Sequence, residues 1–235
     1  DALTITCVEY GDKVIRDACD KVASRYFPML GNHDIMNDAT RIHVLPFVDS
    51  ILTEPTIRSL GNVGAFFFPF YRDWQPEWQK WKSQVASQCR RAFIHLDITG
   101  AMFNHAAVCK SGIAPADFPQ TCKVVAGHFH HPQVLAPNFH CIGSCMYRDF
   151  RDEVVLLPRG IVVDDLDTGD WLRIENPCTS IYHNLKVFDE DDLAEKMAAV
   201  KSKDRCYLRL TYPEALEPFV KAYKEDFRGF KPIPL

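Results

Sequence analysis

Short apolar runs of strand length, each ending at or beside a histidine, constrain this chain more than any other feature. Residues 26–30 run into Gly31-Asn32-His33-Asp34, residues 92–96 carry His95 near their end, and Lys123–Ala126 runs into Gly127-His128-Phe129-His130. Strands buried on both faces read as near-continuous apolar runs, and the polar groups of α/β proteins gather beyond the carboxyl ends of such strands. Segments of helical period lie between them. Val14, Ile15, Ala18, Cys19, Val22 and Ala23 predict a helix over 12–25. Trp74, Trp78 and Trp81, at i, i+4 and i+7, predict an amphipathic helix over 76–90 whose aromatic stripe packs into the core. Strands alternating with helices specify an α/β fold.

Residues 37–60 read as mixed loop and helix, followed by an apolar strand over 65–70 closed by Pro69. After Phe139 the pattern turns to β: 139–142, 154–157 and 160–164 read as strands, and Asp167-Thr168-Gly169-Asp170 as the hairpin turn before 171–174. Asn176-Pro177 breaks this rhythm, and strand (182–187), helix (191–200), strand (205–210) and helix (213–227) follow. The predicted organisation is a larger domain over 1–176 and a small α+β module over 177–235.

Composition bounds the function. With 47% hydrophobic and 25% charged residues in 235, the balance is that of a globular protein. No window approaches the roughly 18 apolar residues of a membrane span, so no membrane partner is expected. The residues from Asp1 onward are not expected to be a basic and apolar leader. A net charge of −4 and a pI of about 6.1 do not announce a nucleic-acid binder, so any DNA must be attracted by a bound metal or a local patch. Nine dispersed cysteines, an odd number, fit a reducing cytoplasm, or a host cytoplasm if the source is viral.

The histidine segments carry the chemistry. His128-x-His130 in an extended chain points both imidazoles to one side. With a carboxamide and a further histidine they form an N/O-rich set suited to Mn, Fe or Zn and poor for Ca. Each segment alone has a plainer reading: His95 as a hydrogen-bonded strand residue, Gly31-Asn32-His33-Asp34 as a turn. Their conjunction favours a metal site. His140, Cys141 and Cys145 lack the second ligand pair of a zinc site. His43, His105, His131 and His183 read as solvated or structural, with His131 close enough to the motif to touch substrate.

In their order, Gly31-Asn32-His33-Asp34, His95 and Gly127-His128-Phe129-His130 resemble the last three motifs of the calcineurin-like metallophosphoesterases. Within that superfamily the chain is most similar to SbcD-type nuclease subunits of double-strand-break repair and recombination. The stretch Ile142-Gly143-Ser144, then Asp149-Phe150, and the tail from Ile174-Glu175-Asn176-Pro177 carry this narrower likeness. The resemblance implies a metallophosphoesterase-type β-sandwich of mixed sheets flanked by helices, with a small α+β capping domain. It implies two divalent ions, manganese first and iron, zinc or magnesium as alternatives. Asn32, His95 and His128 would hold one and His130 would belong to the other. His33 would be the general acid or transition-state stabiliser, with Asp34 fixing the turn or orienting His33. The implied activity is exo- and endonucleolytic hydrolysis of DNA, as a homodimer beside an SbcC-like ATPase.

The departures are equally specific. No Asp-x-His or Gly-Asp-x-x-Asp precedes Gly31. Asp12 reads as a helix N-cap rather than a substitute. Asp1-Ala2-Leu3-Thr4-Ile5 resembles the end of a Gly-Asp-x-x-Asp segment, so the first βα unit is expected upstream, and this chain alone is expected to hold one metal weakly and the other hardly at all. Two alternatives remain open: a phosphomonoesterase or cyclic-nucleotide phosphodiesterase on the same fold, and a non-catalytic scaffold subunit.

Overall fold

The structure, a computed structural model, describes residues 13–14, 16–17, 20–21, 27–37, 42–43, 51–104, 107–147, 158–200 and 206–235. The described residues of the 12–25 segment are helical. Asp1, Asp12, His105 and the expected strand at 154–157 lie outside the described residues, as does the side chain of His43. The chain divides into two compact units, one comprising 1–102, 108–129 and 133–142, the other 103–107, 130–132 and 143–235.

The first unit is built on a six-stranded mixed sheet. Its strands are β1 (Thr56–Leu60), β2 (Val63–Phe68), β3 (Arg91–Ile94), β4 (Lys123–Ala126), β5 (Gln133–Ala136) and β6 (Phe139–Cys141), in the order β1-β2-β3-β4-β6-β5. The four central strands run parallel, and an antiparallel strand closes each edge. One helix, α1 (Gln75–Gln88), connects β2 to β3. Both faces of β2 are covered, which is why it reads as an unbroken apolar run. Phe66 and Phe68 pack with Trp78, Val85, Ala92, Ile94 and Val124 on one side. Ala65 and Phe67 pack with Leu52, Phe27 and Phe93 on the other.

In the first unit two elements differ from the sequence expectation. Residues 56–60 form a strand, because Gly61-Asn62 closes a two-residue hairpin in which Leu60 pairs with Val63 and Gly61 takes φ 60°. A left-handed residue there matches the turn to the strand twist. In the segment expected to be a strand over 26–30, the described residues make a single parallel bridge, Met29 to Leu52. Pro28 lacks the N–H that a continuous ladder needs.

The second unit contains a hairpin, β7 (Gly160–Asp164) with β8 (Trp171–Glu175), in full antiparallel register. Its loop is closed by Asp165, whose Oδ1 accepts from the N–H groups of Asp167 and Thr168. A three-stranded parallel sheet follows, β9 (Ile181–Lys186), β10 (Cys206–Tyr212) and β11 (Gly229–Pro234), with β10 central. Helix α2 (Glu190–Ala199) links β9 to β10. Asp189 caps it by accepting from Asp192 N–H at 2.8 Å, and Leu193 and Met197 bury against Leu208 and Leu210. The segment expected to be one helix over 213–227 is instead short helical turns, with the five-residue α3 (Glu217–Lys221) among them, before β11. Pro232 and Pro234 hide β11 from a sequence reading, and proline is compatible with an edge strand.

The chain is therefore mixed α/β, with a mixed multi-strand sheet and a few helices. No described helix is long and apolar enough to cross a membrane.

Candidate functional site

In the first unit three backbone segments end side by side at the carboxyl edge of the parallel strands. Phe70 N–H donates to Leu30 O, His95 N–H to Phe68 O, and Gly127 N–H to Ile94 O, at 2.9, 2.9 and 2.8 Å. These bonds bring the turn after Leu30, the end of β3 and the end of β4 together. Asn32, His95 and His128, distant in sequence, become neighbours because the sheet pairs their strands.

Each side chain has a local cause for its position. Asp34 folds back on the turn: its Oδ2 accepts from Gly31 N–H at 2.8 Å while its own N–H donates to Gly31 O at 3.2 Å. That closure leaves Asn32 half-buried and His33 exposed. The His95 ring sits between two glycines. A Cβ on Gly31 would stand 2.9 Å from His95 Cε1, and one on Gly127 would stand 2.9 Å from His95 Nδ1. Any side chain at either position would push the ring aside. His128 is the one non-glycine among the described residues with positive φ, at 74°. Its ring lies 6.0 Å from Phe70 and edge-on to Phe129 at 5.2 Å.

The polar atoms converge on the Asn32 carboxamide oxygen. His95 Nε2 is 3.1 Å and His128 Nδ1 is 3.2 Å from Asn32 Oδ1. The two imidazoles meet at 5.4 Å between centroids with a 63° interplanar angle. Two ligands about 2.1 Å from one cation, at right angles, stand about 3.0 Å apart. Each nitrogen stands near that spacing from the oxygen, so these three side chains could offer donors to one divalent cation. Among the described residues no group of three or more His, Cys, Asp or Glu side chains is arranged for a metal. The third donor of this set is a carboxamide.

A fourth residue joins the cluster that the sequence did not single out. Asp97 Oδ1 lies 3.0 Å from His128 Nε2, on the opposite edge of the ring from Asn32. The spacing His95-Leu96-Asp97 is visible in the sequence, but it does not tell whether Asp97 faces water or an imidazole.

The other sequence candidates have local settings of their own. His130 belongs to the second unit, where its carbonyl accepts from Ser144 N–H at 3.1 Å. His131 is buried and His183 half-buried on β9. His140 sits on β6 with Nε2 3.4 Å from Pro137 O, beside the buried Cys141, and Cys145 is exposed. No disulfide links the described cysteines.

No protein-family model matches the chain and no curated protein matches it significantly. The functional reading rests on the residues and their geometry.

Proposed function

We propose that this chain is a metal-dependent phosphodiesterase of metallophosphoesterase type, resembling the DNA exo/endonuclease subunits of the SbcD kind. The observation that carries the reading is the meeting of Asn32 Oδ1, His95 Nε2 and His128 Nδ1 at the strand ends. They come from three motifs whose order is that of the superfamily. The sandwich architecture, a capping role for the tail, a homodimer and an SbcC-like ATPase partner belong to the same proposal. So does a two-ion site, with manganese first: Asn32, His95 and His128 would hold one ion, and the motif assigns His130 to the other.

Bound divalent ions would supply Lewis acidity, activating water and neutralising the charge that builds on the phosphoryl oxygens. The rest is done by the chain. His95 and Asn32 orient the donor set, the first through its fit between Gly31 and Gly127, the second through the turn that Asp34 closes. His33, exposed one residue beyond Asn32, delivers a proton to the departing oxygen, a task suited to imidazole near neutral pH.

The test is manganese-dependent hydrolysis of linear double-stranded DNA beside a chromogenic aryl phosphodiester. Cleavage of DNA supports the nuclease reading. Cleavage of the aryl ester alone moves the assignment to a small-phosphoester hydrolase, which the net charge of −4 favours. A chain loaded with two ions yet inert to both substrates would point to the scaffold role. In an active preparation, His33→Ala is expected to keep its metal and lose roughly 100- to 10,000-fold in turnover. Loss of metal would make His33 a ligand and overturn its assigned role.

A further inference from the structure

We infer that Asp97 is a positioning residue that fixes the tautomer of His128, so that Nδ1 faces Asn32 as a lone pair. The inference concerns the chain itself, and its consequence for metal affinity rests on the proposed metal reading.

The two edges of the His128 ring meet different partners. His128 Nε2 stands 3.0 Å from Asp97 Oδ1, and an ionised carboxylate only accepts hydrogen bonds, so the proton of the neutral imidazole resides on Nε2. Nδ1 is then without a proton. It lies 3.2 Å from Asn32 Oδ1, itself an acceptor, and the same oxygen lies 3.1 Å from His95 Nε2. The charged carboxylate is the stronger acceptor and takes the one ring proton, and Asn32 meets the Nδ1 lone pair either through a bound cation or by turning its amide nitrogen toward the ring. Histidines that ligate metals commonly donate their other N–H to a carboxylate, which sets both the tautomer and the ring orientation.

A plain surface ion pair is the competing account. The Asp97 side chain is 45% exposed and that of His128 only 13%. A contact so open to water contributes little to stability, which leaves orientation as its main effect. The Asp97 backbone is held for this purpose. Its carbonyl accepts from Ile113 N–H at 3.0 Å, and Thr99 N–H donates to Ile113 O at 3.1 Å, clamping the end of β3 to the following loop. The carboxylate therefore approaches His128 from a fixed frame.

The test uses the metal-free 235-residue chain, labelled with 15N, at a pH where imidazole is neutral. Long-range proton–nitrogen spectra are expected to show His128 in a single Nε2–H form, and Asp97→Ala to mix the two tautomers with an unchanged urea midpoint. Asp97→Asn, of nearly the same size, is expected to weaken the bias. An Nδ1–H form in the unmodified chain, or an identical tautomer distribution in Asp97→Ala, would overturn the inference. Cobalt(II) titration is the second readout, with affinity expected to fall about 10- to 100-fold in both variants. A tautomer shift with no cobalt bound by any form would uphold the role of Asp97 and refute the metal reading instead.

Discussion

At residue 128 the backbone accepts a cost that packing alone does not demand. A side chain at φ 74° is disfavoured by about 1–2 kcal/mol relative to the right-handed region, and glycine escapes that cost. His128→Gly is therefore expected to be about 1 kcal/mol more stable than His128→Ala in urea melts. Equal stabilities would mean that the left-handed conformation carries no strain. Asn32, His33, His95 and His128 could be read from the sequence because each stands in a short pattern of turn or strand-end residues. Asp97 could not: a carboxylate two residues after a strand histidine looks the same whether it faces water or an imidazole. Only the pairing of β3 with β4 brings it to His128.

The elements divide by where their determinants lie. Helix α1 is legible because Trp74, Trp78 and Trp81 repeat at helical period and one apolar face suffices to bury them. Trp78, 3% exposed, lies 4.8 Å from the Phe118 ring and 6.3 Å from Phe66. Trp78→Ala is expected to cost about 3–5 kcal/mol in a chemical-denaturation measurement, the usual range for a buried aromatic. A loss under 1 kcal/mol would place that ring outside the folding core. Strand β1 was masked by its composition, Thr-Ile-Arg-Ser-Leu, where both faces mix polar and apolar residues; the decisive signal was the Gly61-Asn62 turn beyond it. Strand β11 was masked by its prolines. The sheet order needs pairings between distant segments, such as β6 beside β4, that no local period encodes.

On the scale of the whole molecule, burial sorts the thiols. Cys89, Cys109, Cys122, Cys141 and Cys206 are buried, whereas Cys145 and Cys178 are exposed. Burial pushes the Cys122 and Cys141 thiols up to about 12, with the neighbouring Cys89 adding to the shift at Cys122. Alkylation of the native chain is expected to label Cys145 and Cys178 and to spare those five until the fold is unfolded. Rapid native labelling of Cys122 or Cys141 would contradict the packing of β4 and β6. The same shift has a sign in pH. The folded state holds these protons more tightly than the unfolded chain, so their contribution is complete below the ordinary value of 9.0 and is lost as pH rises toward about 12.

The α/β class was legible at this scale because β2, β3 and β4 each carry enough apolar residues to be buried strands, and the central claim is that the ends of β3 and β4, with the turn after Leu30, build one cation site. Calorimetric titration of the 235-residue chain with manganese, beside His128→Ala, tests it most directly. The account predicts one ion bound per chain and no binding by the variant. An unmodified chain that binds no manganese, or a variant that binds it as well as the parent, would contradict the account.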